Sequence, residues 1–565
     1  MSSTFPEEYL TELEEIDKTL PTIDFTFAYG TAGFRYKDSI LDKVAFRAAI
    51  FTSLLSMSKN SLPHGIMITA SHNPYQDNGI KISGDFGVMI TPEEEDIAVE
   101  IANSKNLKET LLSVIKKLNI QQFRSIIVLA HDTRRSSPKL SDIMKKALDV
   151  LKCEYKFYDI VTTPCLQFLN LISILAFEKI GIKNKMIFPP VDDYWNFLAN
   201  AYKDYNNFYA EHFCEANRVL KNYDRELCID CSCGIAAVVK DSIKKIMESN
   251  TDLKISFINY DTSVIENLNA GCGAENTQKM KVYPLNKNEN SIVKNLSFDG
   301  DVDRVVYYKF DPNITKNIPL IDGDRILVMY GTIINYFISL LSENLQKKFH
   351  ELISIGLVIT SYANGSVRNY IKEKLPKIHL EISKSGVKNA IRIANQYDLS
   401  SYFESNGHGT LHVQHNIQEK FDKLNSLVEN SKDSQVLELF QKFIGLFNTT
   451  TGDAISSLLG VESVLKTFDW SVDDALKLYP ELPAINTKVQ IKDKSVFKCD
   501  ERETKLVQPK EFQKQIDEWA KLYENGRVFV RASGTEDVVR IYCEADTMEH
   551  TEDLVKKTEE LLKNY

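Results

Sequence analysis

The 565-residue sequence has no run of about 18 apolar residues, so no transmembrane helix is expected. It has no surplus of positive charge either. Its 68 Lys and Arg against 78 Asp and Glu leave a net charge of −10. Bulk nucleic-acid binding needs a net basic face and is not expected, although a local basic pocket for an anion is still allowed. The nine cysteines are scattered. Cys228, Cys231 and Cys233 cluster in "CIDCSCG", but no second Cys/His pair stands at zinc-site spacing, so buried reduced thiols are expected there. The first residues, "MSSTFPEEYLTELEEI", are acidic and lack an apolar core, so no signal peptide is read and the expected location is the cytoplasm. No short-period repeat or long low-complexity segment is visible.

What is present is the composition of an ordinary globular chain, 43% hydrophobic and 26% charged. The length suggests about three to five domains. Short β-branched runs alternate with longer amphipathic stretches. "SIIVLAHDTR" (Ser125–Arg134) reads as a strand and loop, and "KLSDIMKKALDVL" (Lys139–Leu151) has helical apolar spacing. "ELCIDCSCG", "LVMYGTIINYFISLL" and "LISIGLVITS" continue the alternation, and "MEHTEDLVKKTEELLKNY" is a charged amphipathic helix. This is the α/β pattern. Linkers are weakly marked, near Pro189 and Pro190, near Pro312, and in the polar stretch Glu429–Ser434.

Four stretches share one design, a strand ending in a polar, Gly-containing loop: "GIMITASHNP", "LSFDGDVDR" (Leu296–Arg304), "SYFESNGHGT" (Ser401–Thr410) and "RVFVRASGTED" (Arg527–Asp537). In open α/β sheets ligands sit at the carboxyl ends of strands, so four domains each giving one loop to a shared cleft is the simplest arrangement. Asp299, Asp301 and Asp303 alternate in the second loop. Three hard oxygen ligands suit Mg²⁺ better than zinc or copper, and carboxylates so close need a compensating cation, part of which Arg304 can supply. A solvated acidic turn is the plain alternative. In the fourth loop, Arg531 offers a fork for phosphate oxygens, Ser533 and Thr535 add hydroxyls, and Gly534 lets backbone N–H groups approach an anion. Arg540 stands on the following strand; a polar turn is the alternative. In the third, Glu404, Asn406, Gly407 and His408 suit sugar hydroxyls, or form a simple hairpin turn. In the first, Ser71 is a turn former in isolation. Beside a metal site and a phosphate cradle it can instead carry a phosphoryl group, with His72 orienting it or stabilising the phosphate and Lys81 handling charge or a proton.

Together these loops resemble the α-D-phosphohexomutase superfamily, whose order is T-A-S-H-N-P, D-G-D-x-D-R, a sugar loop, then R-x-S-G-T-E. The early "YGTAGFR" (Tyr29–Arg35) is similar to its G-T-x-G-x-R element. "SHNPYQDNGIKI", "FESNGHG", "NAGCGAENTQK" (Asn269–Lys279) and "TTTGDAISSLLGVESVL" resemble the phosphoacetylglucosamine mutase branch. There are departures. "SGVKNAI" (Ser385–Ile391) keeps Lys388 but has Asn389 and Ile391 where that branch has histidines, and Ser405 and Glu275 replace Ala and Asp.

The resemblance implies four domains around a central cleft, three mixed α/β sheet domains and a smaller C-terminal α+β domain. Their expected bounds are 1–187 (phosphoserine), 188–311 (metal), 312–445 (sugar recognition) and 446–565 (phosphate). It implies interconversion of N-acetylglucosamine 6-phosphate and 1-phosphate on the route to UDP-N-acetylglucosamine, through a phosphoserine and a sugar 1,6-bisphosphate. One Mg²⁺ is expected on Asp299, Asp301, Asp303 and the Ser71 phosphate. Arg35 is implied to reach the catalytic phosphate, and Lys388 to act as acid/base or phosphate contact. The implied partner is a small sugar phosphate, with no nucleic acid or membrane, in a monomer or weak dimer. A phosphoglucomutase or phosphomannomutase, a metal-dependent phosphatase that uses a serine and carboxylates, or a non-catalytic sugar-phosphate-binding homologue are the rival readings.

Overall fold

The computed structural model describes residues 5–30, 33–180, 184–214, 220–249, 253–286, 294–533 and 538–565. By contacts the chain divides into two compact units, each discontinuous in sequence. One comprises residues 1–207, 225–318 and 448–459, the other residues 208–224, 319–447 and 460–565.

The first unit carries two mixed sheets. In the first, the strands stand in the order Phe34–Lys37, Asp77–Ser83, His64–Ile68, Ile126–His131 and Glu154–Ile160. His64–Ile68 pairs parallel with Ile126–His131 and antiparallel with Asp77–Ser83. Both "HGIMI" and "IIVLAH" are buried along their whole length, as expected of strands covered on both faces. The helices Asp42–Ser58 and Ser137–Val150 pack together, and their Val44, Ile50, Leu54, Leu140, Met144 and Leu148 belong to one core with Ile66, Ile68 and Leu129. The second sheet sets Val305–Lys309, Lys294–Phe298, Glu226–Asp230 and Lys254–Ile258 side by side. Glu226–Asp230 is parallel to both neighbours, and Lys294–Phe298 is antiparallel to Val305–Lys309.

The second unit repeats the plan. Its larger sheet orders His379–Ser383, Ile355–Thr360, Leu399–Phe403 and Gly409–Val413, with two parallel pairings and an antiparallel edge. A smaller antiparallel sheet orders Ala484–Gln490, Val538–Glu544 and Arg527–Ala532, backed by the helices Lys510–Ala520 and Met548–Leu562.

The α/β reading holds. "LVMYGTIINYFISLL" falls, but for its last residue, in the helix Gly323–Leu340, and "LISIGLVITS" contains the strand Ile355–Thr360. The stretch Glu429–Ser434 is no linker. Asn430 caps the helix Ser431–Ile444 by accepting from the Asp433 N–H, and Asp433 in turn accepts from the Ser342 backbone and hydroxyl. Polar composition there marks a helix start. Cys228, Cys231 and Cys233 are buried with free thiols. Among the described residues no helix is long and apolar enough to cross a membrane.

Candidate active site

Each of the four loops joins two antiparallel neighbours. Residues 69–76 lead from His64–Ile68 to Asp77–Ser83, and 299–304 from Lys294–Phe298 to Val305–Lys309. Residues 404–408 lead from Leu399–Phe403 to Gly409–Val413, and 533–537 from Arg527–Ala532 to Val538–Glu544. In the three mixed sheets the first strand of the pair is also parallel to an inner neighbour, so the loop leaves its carboxyl end.

In the first unit, the loop after His64–Ile68 places Ser71 against the loop of aspartates. Ser71 Oγ donates to Asp301 Oδ1 at 2.5 Å and lies 3.2 Å from Asp299 Oδ2. Gly300 admits this approach, because a Cβ there would stand 2.5 Å from the Ser71 carbonyl oxygen. Asp299, Asp301 and Asp303 are buried, and each offers an oxygen within 4.8 Å of the others'. Burial, reinforced by Asp303 and Asp301, pushes the Asp299 carboxyl well above the usual range. Burial and Asp303 also push Asp301 upward, but Lys81 and the Ser71 hydroxyl outweigh them and hold it below. Lys81 Nζ sits 2.7 Å from Asp301 and 2.9 Å from Asp303. Burial works against its charge, yet those two carboxylates raise it, so it stays a cation. Three buried hard carboxyl groups, whose burial and mutual repulsion disfavour negative charge without a compensating cation, fit a divalent ion with oxygen preference.

Arg304 donates to Glu275 at 2.5 Å and stands 3.7 Å from Asp299 and 3.6 Å from Asp303. It therefore faces the aspartates, and Glu275 orients it. Arg35 Nη1 donates to Asn73 Oδ1 at 3.2 Å. Arg35 Nη2 and His72 Nδ1 are buried with no hydrogen-bond partner among the described residues. Burial, then Arg304 and Arg35, keep His72 well below its ordinary pKa and so neutral. No hydrogen bond joins His72 to Ser71 among the described residues; a ring that orients the serine is not what the geometry shows. Two buried nitrogens left open beside Ser71 suit an added anion on that residue. Thr163, which no sequence pattern singles out, donates to Asp301 Oδ2 at 2.5 Å.

In the second unit, residues 404–408 form a tight hairpin end. Glu404 N–H donates to the His408 carbonyl, and Gly407 N–H to the Glu404 carbonyl with φ +88° at the glycine. Asn406 Oδ1 accepts from the His408 N–H. Glu404 Oε1 accepts from the N–H of Gly386, the residue before the helix Val387–Ala394 that carries Lys388, at 3.1 Å. Burial, helped by Arg392, lowers Lys388 to about 8. Ser405 Oγ donates to Asp324, a buried carboxyl that burial pushes up to about 6.

The smaller sheet aligns Arg531, Arg540 and Lys488 directly across three strands. Like charges opposite one another are unfavourable and favour an anion between them. Arg531 Nε donates to the Tyr362 hydroxyl at 2.8 Å, and its Nη1 lies 3.6 Å from Glu503, whose other oxygen accepts from the Ser385 N–H. Ser533 is buried. Gly534 and Thr535 lie outside the described residues. Lys488 and Glu503 escaped the sequence reading because a row across a sheet exists only once the strands pair.

Comparison with known proteins bears on this arrangement. Residues 322–470 match the family model for phosphoacetylglucosamine mutase AMG1, domain III. Residues 485–561 and 43–109 match the C-terminal domain and the alpha/beta/alpha domain I of phosphoglucomutase/phosphomannomutase. The phosphoacetylglucosamine mutase of Candida albicans is 35% identical over 562 residues, covering 95% of this chain and 96% of that protein. A crystal structure of N-acetylglucosamine-phosphate mutase in its product complex, a member of the α-D-phosphohexomutase superfamily, has a TM-score of 0.86 and 32% identity over 98% of this chain and 100% of that one. The Aspergillus fumigatus N-acetylphosphoglucosamine mutase with GlcNAc-6P and magnesium has a TM-score of 0.87 and 29% identity over 99% of each chain. The arrangement of sheets and loops is thus that of the superfamily, and the chain belongs to the phosphoacetylglucosamine mutase family.

Proposed function

We propose that this protein is an isomerase that interconverts N-acetylglucosamine 6-phosphate and N-acetylglucosamine 1-phosphate, with a phosphoryl group carried on Ser71 and a sugar 1,6-bisphosphate between the two half-reactions. The observation that carries the reading is Ser71 Oγ held 2.5 Å from Asp301 within a buried aspartate triad. The named activities of the relatives set the sugar.

In the forward half-reaction, the free hydroxyl of the sugar phosphate attacks the phosphorus of phospho-Ser71. An O–P bond to the sugar forms as the bond to Ser71 Oγ breaks, the hydroxyl proton passes to Lys388 Nζ, and the charge left on the departing Ser71 oxygen is met by the Lys81 ammonium, which donates to that oxygen at 3.5 Å. The second half-reaction reverses these events at the other end of the sugar and returns a phosphoryl group to Ser71. Lys388 suits the proton because burial lowers it to about 8. Lys81 is assigned a different part, as a fixed cation beside the developing charge. Arg35 and His72 hold oxygens of the phosphoserine. Asp299, Asp301 and Asp303, with a phosphoserine oxygen, would hold Mg²⁺, which would supply charge neutralisation at the transferring group. Arg304 positions the acidic loop. Glu404, Asn406, Gly407 and His408 bind sugar hydroxyls. Arg531, Ser533, Gly534, Thr535 and Arg540 grip the phosphate that is not being transferred.

The four segments 1–187, 188–311, 312–445 and 446–565 are assigned the phosphoserine, metal, sugar and phosphate roles, since each delivers one loop. Free thiols at the nine cysteines suit a reducing compartment, which favours the cytoplasm.

The test is ³¹P NMR with Mg²⁺ and a trace of the matching 1,6-bisphosphate, run separately on the 6-phosphates of N-acetylglucosamine, glucose and mannose. The expected result is a 1-phosphate signal growing fastest from the N-acetyl sugar. Equal or faster conversion of glucose 6-phosphate would discard the substrate assignment. Release of free phosphate alone would discard the mutase reaction.

A further inference from the structure

Ser71 has φ +54°, the left-handed region that is unfavourable for a residue with a Cβ. Something must hold it there. The Ser71 carbonyl accepts from Arg134 Nη2 at 2.9 Å and from Asn269 Nδ2 at 2.9 Å. The Asn73 carbonyl accepts from the same two groups, at 2.9 and 3.1 Å. Arg134 Nη1 reaches the carbonyls of Pro74 at 2.6 Å and Asp77 at 2.8 Å.

Arg134 is 1% exposed. Its Nε donates to Asp132 Oδ2 at 2.9 Å, while Asp132 Oδ1 accepts from the Arg134 N–H and from Ser137 Oγ. All five N–H groups of the guanidinium are thereby committed, four of them to main-chain oxygens of one loop. A side chain so enclosed has no reach toward substrate. Its charge is balanced by Asp132, and its planar fork fixes the path of residues 71–77.

Asn269 comes from the second sheet's side. Its own N–H donates to the Ser232 carbonyl at 3.0 Å, and a Cβ on Gly300 would stand 3.1 Å from its Nδ2. The Asn269 amide therefore bridges the serine loop to the sheet that delivers Asp299, Asp301 and Asp303. Ser71 and the aspartates come from different sheets, and their mutual register depends on such a bridge.

We infer that Arg134 and Asn269 are positioning residues for the transfer. They hold Ser71 in its left-handed conformation and set its Oγ on the Asp299 and Asp301 carboxylates. This rests on the mutase reading above. Misplacing a reacting group by about 1 Å can cost about 100-fold in rate.

The test compares wild-type protein with Asn269→Ala, Asn269→Asp and Arg134→Lys. Turnover is followed by ³¹P NMR, and transfer onto Ser71 from the sugar 1,6-bisphosphate by rapid quench and intact mass. Asn269→Ala should keep the wild-type fold by circular dichroism and a KM within about two-fold, while kcat and the transfer rate fall about 100-fold together. Asn269→Asp should fall further, because a carboxylate would face two carbonyl oxygens. Arg134→Lys should lose kcat with KM unchanged, since one ammonium cannot serve four carbonyls. If Arg134→Lys fails to fold, the two Asn269 variants decide. A folded Asn269→Ala with wild-type kcat, or with KM and kcat changed alike, would overturn the inference while leaving the mutase reading intact. Wild-type protein that takes no phosphoryl group on Ser71 would overturn both.

Discussion

At the scale of single residues, Ser71→Ala removes an oxygen 2.5 Å from Asp301 while keeping the Cβ and the backbone bonds of its loop. Turnover should fall at least about 1,000-fold with the melting temperature nearly unchanged. Retention of more than a few per cent of activity would remove the phosphoserine from the mechanism. Lys388 carries a pH signature. Its ordinary value is 10.5, and burial lowers it to about 8 in the fold. The folded protein therefore binds fewer protons than the unfolded chain between those values, and stability should rise with pH across that window. Turnover limited by its neutral form should likewise climb as pH passes about 8. Lys388→Met should flatten the stability rise, and Lys388→Arg should remove the turnover limb; a wild-type profile in either variant would take the proton role from Lys388. Residue identity made Ser71, Lys81 and the three aspartates readable, because their chemistry is local and their spacing short. Thr163, Arg134 and Asn269 were not readable as site residues. They meet the site across 138, 63 and 198 positions of chain, through contacts that only folding creates.

At the scale of elements, the hairpin of residues 404–408 is held by contacts outside itself. Ser405 Oγ donates to the buried Asp324 at the start of the helix Gly323–Leu340. Ser405→Ala leaves that carboxylate short of a donor. The expected cost is about 1–3 kcal/mol, read as a fall in denaturation midpoint. A raised KM for the sugar phosphate at unchanged kcat would accompany it if the hairpin reads the sugar. An unchanged midpoint would show that the contact does not hold the loop. The row of Arg531, Arg540 and Lys488 predicts a different signature. Arg531→Ala should raise KM about ten- to a hundred-fold, since it removes a charge-assisted phosphate contact. A variant affected in kcat alone would place Arg531 at the transferring phosphate instead. Alternation of apolar runs was enough to find these strands and the polar loops that follow them. It did not reveal that each loop returns into an antiparallel neighbour, because pairing direction leaves no local mark in the sequence.

At the scale of the whole molecule, the acidic triad with Ser71 belongs to one compact unit, and the hairpin of residues 404–408 and Arg531 belong to the other. The sequence placed the four loops in order but not this grouping. Residues 448–459 follow the third sheet in the chain yet belong with the first unit. There the Ala454 N–H donates to the Val302 carbonyl, Asn448 reaches the Pro164 carbonyl, and Tyr194 donates to the buried Asp453. Assigning the metal to one unit and the sugar phosphate to the other makes the two ligands distinguishable by hydrogen exchange. Mg²⁺ alone should slow exchange at residues 69–76 and 299–304, where the cation would relieve three buried carboxylates, and leave residues 404–408 and 527–544 at their metal-free rates. Sugar phosphate added without Mg²⁺ should do the reverse, because sugar hydroxyls and the distal phosphate are assigned to the second unit. Protection of the acidic loop by Mg²⁺ should vanish in Asp301→Asn. Slowing by Mg²⁺ spread evenly over both units would mean that the cation acts on the fold at large, and the triad would lose its standing as the metal site.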